Sequence, residues 1–263
     1  VSVVHDQAIC LRHREWSETS QTVILLTRAH GLINGLAKGS RRDRSPFSGG
    51  FEALQRGEVG FVQRADKDML TVTEWDLGEA YGALRGRYGA AVACLFTGEV
   101  AAGLLPAGDP HPVIFDAFCG LLDACARERA EPGFFLRPIA ACLGEVLRDT
   151  GHQPRLSEAS AAGGAGRGPV LLFDPGQACL VPRTDAGMAV VDPFAPTASR
   201  TGCWAIRRET VGLLASLESP DLGRNRGEPR GWARACRFLG AWAVYRSGRR
   251  PASLDAFLRV TRF

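Results

Sequence analysis

AICLRHREWSETSQTVILLTRAHGLINGLA, residues Ala8 to Ala37, is the stretch whose reading decides the fold. Its opening, AICLRHREW, alternates apolar and polar residues with the period of a strand buried on one face. QTVILLT is a short β-branched and aliphatic run, and GLINGLA follows it after a turn at Ala29 to Gly31. Further along, GEVGFVQRA and DMLTVTEW complete a series of five short strands within the first 76 residues. That strand count in so short a span predicts a small barrel, and an OB-like barrel is favoured over a sandwich.

After Asp76 the period becomes helical. In HPVIFDAFCGLLDACARERAE the residues Ile114, Phe118, Leu121, Leu122 and Cys125 form one apolar stripe. RPIAACLGEVLRDTG places Ile139, Leu143, Val146 and Leu147 on one face, with Pro138 near its start and Gly151 as a C-terminal cap. Two further helices are expected near Arg207 to Leu217 and Gly231 to Tyr245, and between the two pairs lies a Gly-, Ala- and Pro-rich stretch. The expected organisation is α+β. A five-stranded OB-fold barrel spans residues 1–78, and a mainly α-helical C-terminal domain spans 79–263, with an irregular insertion at about 156–203.

The 263 residues are 45% hydrophobic and 23% charged, the proportions of a soluble globular protein. No apolar window reaches the roughly 18 residues of a membrane span, and VSVVHDQAIC lacks the pattern of a secretory signal, so a cytoplasmic protein with no membrane partner is expected. The eight cysteines never form a C-x-x-C pair and mostly sit in apolar runs, which reads as buried thiols.

Charge is unevenly distributed. Residues 1–64 carry nine cations against six acids, residues 65–223 thirteen against twenty, and residues 224–263 ten against two. Lys38, Arg41, Arg42 and Arg44 are opposed in their own loop only by Asp43, and Arg12 and Arg14, two apart, project from one face of the first strand. The nearby aromatics are Trp16, Phe47 and Phe51. In the last helix Trp232, Ala235, Cys236, Leu239 and Trp242 make an apolar stripe, with Arg230, Arg234 and Arg237 on another face and Arg249 and Arg250 just beyond. Read from charge alone, each cluster is either a solvated face or a contact for phosphate.

The order of DQAICLRHREWSETSQTVILLTRAHGLINGLAKGSRR, with its T-x-x-x-G turn followed by AKGSRR, resembles the amino-terminal domain of the bacterial RecO family. SPFSGGFEALQRGEVGF and SGRRPASLDAFL resemble the same family's loop with fourth strand and its carboxy-terminal end. The resemblance implies a non-enzymatic recombination mediator in DNA repair, cytoplasmic and nucleoid-associated. Such a protein binds single- and double-stranded DNA, promotes annealing, contacts RecR and single-strand-binding protein, and helps load RecA.

On that basis Arg12, Arg14, Lys38, Arg41, Arg42 and Arg44 become DNA-binding candidates on the barrel, and Arg230, Arg234, Arg237, Arg249 and Arg250 a second surface. The second surface would take nucleic acid or the acidic tail of single-strand-binding protein, whose carboxylates need arginines beside an apolar pocket. With few stacking residues, the expected binding is electrostatic and tolerant of sequence.

One departure stands out. Many members of that family carry a four-cysteine zinc site, and the matching positions here are Ala159, Ala162, Cys179 and Pro182. One thiolate does not hold structural zinc, so no zinc and no cofactor are expected.

Other motifs point to no reaction. GGAGRG is followed by Pro169 where a dinucleotide loop needs glycine. Cys94 and Cys119, candidates for a thiol nucleophile with His111, lie in apolar helical patterns, and Asp109 and Asp116 flank a helix start as capping or surface groups. The rival from another class is a protein-interaction scaffold of the same fold with weak DNA binding, suggested by the acidic middle of the chain and the missing zinc ligands.

Overall fold

The computed structural model describes residues 2–62, 69–127, 133–157, 168–182, 189–194, 202–217 and 227–262. The chain forms two compact units, Val1–Arg129 and Ala130–Phe263.

In the first unit, strands β1 (Val4–Glu15), β2 (Gln21–Thr27), β3 (Gly31–Ala37), β4 (Arg56–Val62) and β5 (Leu70–Glu79) close a barrel in the order β1-β2-β3-β5-β4. Every neighbouring pair is antiparallel except β3 with β5, whose parallel register matches Gly35–Ala37 to Leu70–Val72. Closure leaves the sheet no free edge. Ala8, Cys10, Val23, Leu25, Ile33, Val59, Phe61, Val72 and Trp75 fill the interior.

Ala8 to Leu11 are all buried because β1 is covered on both faces there, with Ala8 and Cys10 in the barrel core and Ile9 and Leu11 on the side on which a helix packs. A bulge follows between Cys10 and Arg12. Cys10 faces the barrel core, while Leu11 lies against Gly98, where an added Cβ would come within 3.3 Å of its Cδ2. The T-x-x-x-G turn has a physical basis too. Thr27 Oγ1 donates a 2.8 Å hydrogen bond to the Gly31 carbonyl, and Gly31 adopts φ +66°, with its α-carbon packed on the backbone of Asp109.

Helices α1 (Tyr88–Leu104) and α2 (Pro112–Arg127) pack on β1 and β2. The stripe expected in α2, Ile114, Phe118, Leu121, Leu122 and Cys125, is buried throughout. Arg28 and Asp116 tie the barrel to α2 through a bidentate pair at 3.1 and 3.0 Å, so Asp116 is a surface ion-pair residue.

In the second unit, α3 (Leu136–Asp149) packs against α5 (Pro229–Ser247), with α4 (Arg208–Ser216) and α6 (Leu254–Val260) completing the helices. Pro138 sits in the first turn of α3, where its missing N–H costs nothing, and Gly151 follows the helix at φ +73°. The stretch read as an irregular insertion is partly ordered into sheet. Strands β6 (Val170–Asp174), β7 (Cys179–Val181) and β8 (Trp204–Arg207) pair antiparallel in the order β7-β6-β8. Phe173 and Trp204 from this sheet meet Phe238, Trp242 and Tyr245 of α5 in one aromatic cluster. That cluster gives the small sheet its core, a role that composition alone concealed behind the Gly and Pro content.

Candidate nucleic-acid interface

On the outer face of β1, β2 and β3 the register aligns Arg12 with Ile24 and Asn34, and Arg14 with Thr22 and Leu36. The face carries a groove of about 500 Å³, flanked by Arg12 and Arg14, floored by Ile24 and Asn34, and reached by Trp16 and Met69. Lys38 continues the exposed side of β3 one step past Leu36, on the same face by strand alternation.

The loop after β3 is held against this groove by defined bonds. Arg41 pairs with Glu15, a groove residue, at 2.5 Å, and its backbone N–H donates to the Thr19 carbonyl. The Gly39 N–H donates to Ser20 Oγ, and Ser40 Oγ donates to the buried Gln21 side chain at 2.9 Å. The Gln21 amide also exchanges hydrogen bonds with the backbone N–H and carbonyl of Phe51. One buried glutamine therefore pins both ends of the segment that carries the cations. Lys38, Arg41, Arg42 and Arg44 remain exposed at the surface. Among the described residues, Arg12, Arg14, Lys38, Arg42 and Arg44 have no ion-pair partner, so their charge is available to an anion.

His13, on the same strand, is half-buried, and its Nδ1 accepts a hydrogen bond from Gln21 Nε2 at 3.3 Å. Burial pushes its pKa down, and the Arg41 charge adds to the effect.

The second unit holds a different cationic site. A cavity of about 690 Å³ has Trp204, Ile206, Ala233 and Phe238 as its apolar lining and Arg207, Arg230, Arg234, Arg237 and Arg262 around it. Arg234 is committed to Glu209 at 2.8 Å. Thr210, 1% exposed, lines the same cavity, and its hydroxyl has no hydrogen-bond partner among the described residues. Exposed and half-buried arginines and an unsatisfied hydroxyl around an apolar floor suit a ligand that is part acid and part hydrocarbon.

The family model for the recombination protein O N-terminal region matches residues 1–81. The DNA repair protein RecO of Anaeromyxobacter dehalogenans (strain 2CP-C) is 30% identical over 227 residues, covering 84% of this chain and 81% of the relative. The chain belongs to the RecO family. The RecO protein of Myxococcus xanthus is 28% identical over 263 residues, 97% of each chain, and that of Anaeromyxobacter sp. (strain Fw109-5) is 29% identical over 250 residues.

Set beside the RecO pattern, the residues singled out in the sequence divide into three groups. Arg12 and Arg14 line the barrel groove, Arg41 meets its edge at Glu15, and Lys38, Arg42 and Arg44 are exposed on the segment that carries Arg41. Arg230, Arg234 and Arg237 line the cavity of the second unit. Arg249 and Arg250 lie beyond Gly248, where α5 has ended, and Arg250 pairs with Asp255 at 2.7 Å.

Two aromatics change role. Phe47 and Phe51 are 3% and 1% exposed and belong to the barrel core, with Phe51 4.9 Å from Trp75, so neither reaches a ligand. Met69 and Gln21 were missed by sequence reasoning. Met69 gives no pattern, whereas a glutamine opening an otherwise apolar strand was a visible signal for a buried polar anchor.

Of the four positions aligned with the family's zinc ligands, Ala159 and Ala162 lie outside the described residues, as does most of GGAGRG. Cys179 lies in β7 and Pro182 just after it. Among the described residues, no group of three or more His, Cys, Asp or Glu side chains is arranged to hold a metal ion. Burial raises the Cys119 pKa, opposite to what a thiolate nucleophile requires, and Cys94 is fully buried. No helix among the described residues is long and apolar enough to cross a membrane.

Proposed function

We propose that the chain acts in DNA repair as a non-enzymatic recombination mediator that binds single- and double-stranded DNA through its barrel. The observation carrying this reading is the junction at Glu15, where the Arg12–Arg14 groove meets the loop bearing Lys38, Arg41, Arg42 and Arg44. Cations gathered there would displace counterions from phosphates, giving affinity that depends on salt and little on sequence. The relatives' common name, DNA repair protein RecO, supports the biological setting.

In this reading the arginine-lined cavity of the second unit takes the acidic tail of single-strand-binding protein, with its carboxylates on Arg230 and Arg237 and an apolar side chain on Trp204 and Phe238. A RecR-like partner, strand annealing and indirect help to RecA complete the proposal, and its setting is the nucleoid in the cytoplasm. Arg249 and Arg250 would add to the positive field of that unit.

The rival reading, a scaffold of the same fold, draws on the exposed acids Glu58, Asp76 and Glu79 of β4 and β5, a surface that repels DNA. Fluorescence anisotropy with labelled oligonucleotides separates the two. Binding at low salt that weakens as salt rises is expected, and no binding at low salt would leave only the scaffold.

A further inference from the structure

Of the five tryptophans, Trp75, Trp204, Trp232 and Trp242 are between 1% and 4% exposed, while Trp16 is 65% exposed. Trp16 stands at the end of β1, its backbone N–H closed onto the Ser20 carbonyl at 2.9 Å. The main chain is thus fixed while the indole stays in solvent at the mouth of the barrel groove. Met69, another exposed apolar side chain at 41%, lines the same groove. Arg12 and Arg14, unpaired among the described residues, flank it. Trp16 and Met69 set exposed apolar surface beside unpaired cations, the combination that a groove for single-stranded nucleic acid needs.

We propose that Trp16 stacks on an unpaired base, and that through this contact the groove prefers single-stranded to double-stranded DNA. The inference rests on the DNA-binding reading above and specifies the form of its ligand. Phosphates are offered equally by a duplex and a single strand, so Arg12 and Arg14 alone do not tell them apart. Base faces are offered only by the single strand, because in a duplex they are already stacked on one another. Stacking on an indole is also tolerant of sequence, since every base has a π-face.

Trp16 is the one exposed tryptophan, so the part of the full chain's intrinsic fluorescence that is lost in Trp16→Phe reports on it. Titration with a single-stranded oligonucleotide is expected to quench the emission, and an equally long blunt duplex is expected to quench it less. In parallel anisotropy measurements, Trp16→Ala should weaken single-strand binding about tenfold and change duplex binding less than about twofold, while Trp16→Phe retains most of the affinity. Trp16 projects into solvent, so neither variant threatens the fold.

Single-strand binding without quenching, equal losses for both DNA forms, or an unchanged Trp16→Ala affinity would each overturn the inference while leaving DNA binding in place. If the wild type binds neither DNA form, the parent reading fails and this one falls with it.

Discussion

The two units place the same residue type in opposite settings. On the barrel, arginines line a groove in which the apolar Trp16 and Met69 are exposed. In the second unit, arginines ring a cavity whose aromatic floor, Trp204 and Phe238, is 3% and 8% exposed and locked into a cluster with Trp242. Charge density alone does not distinguish these sites. What differs is the neighbour. A cationic strip with exposed apolar side chains suits an extended polyanion, whereas arginines over a buried aromatic floor beside the unsatisfied Thr210 hydroxyl suit a short acidic peptide.

The largest expected effect breaks the barrel side alone. Gly31 needs φ +66°, and an added Cβ would lie 2.0 Å from the Asp109 carbonyl oxygen. Gly31→Ala should therefore destabilise the barrel by more than about 2 kcal/mol, read from urea unfolding, and weaken oligonucleotide binding with it. An unchanged unfolding midpoint would mean that the turn is not the constraint described. On the other side, Arg230→Ala combined with Arg237→Ala should weaken an acidic tail peptide by about tenfold or more, through lost charge-assisted hydrogen bonds. Calorimetric titration checks this. A comparable loss of oligonucleotide binding in that variant would merge the two sites into one DNA surface.

A smaller gain is expected from Glu15→Gln. The Glu15 carboxylate competes with phosphate for Arg41 across an exposed 2.5 Å pair, a contact worth about 0.5 kcal/mol, so its removal should tighten oligonucleotide binding about twofold. Weaker binding would show that Glu15 is needed to hold the loop.

The smallest effect is on pH dependence, and it occurs in both units. His13 and His152 both have pKa values below the usual 6.5, chiefly from burial and secondarily from Arg41 and Arg246 respectively. The unfolded chain then takes up protons that the folded chain refuses. Stability is complete above the ordinary histidine value and falls as pH drops through it toward the folded values. His13→Gln and His152→Gln should each flatten the decline of urea midpoints in acid, and a steeper decline in either would contradict the sign.

Much of this was legible in the sequence, because strands and amphipathic helices write their burial as a period. QTVILLT and GLINGLA became β2 and β3 with the same bounds, and the stripes of α2 and α5 are buried as spaced. Helix α1 left no stripe to read, since YGAAVACLFTGEVAAGL is apolar on nearly every side. Strands β6 and β7 were hidden for another reason. They are only five and three residues long, and their burial depends on partners distant in sequence, the α5 aromatics for Phe173 of β6 and Cys203 for Cys179 and Val181 of β7.

At the candidate site, charge was visible but depth was not. Phe47, Phe51 and Trp16 look alike as letters, and only the Gln21 anchor, which bonds Phe51 into the barrel, separates core from surface.

The most direct test of the central claim is anisotropy of a labelled single strand across a salt series, for the wild type and for Lys38, Arg41, Arg42 and Arg44 changed together to alanine. Loss of four phosphate contacts predicts that the slope of log K against log salt shrinks by roughly 3, with weaker binding at every salt concentration. Equal slopes and equal affinities for the two proteins would contradict the account and reduce the cluster to a solvated loop.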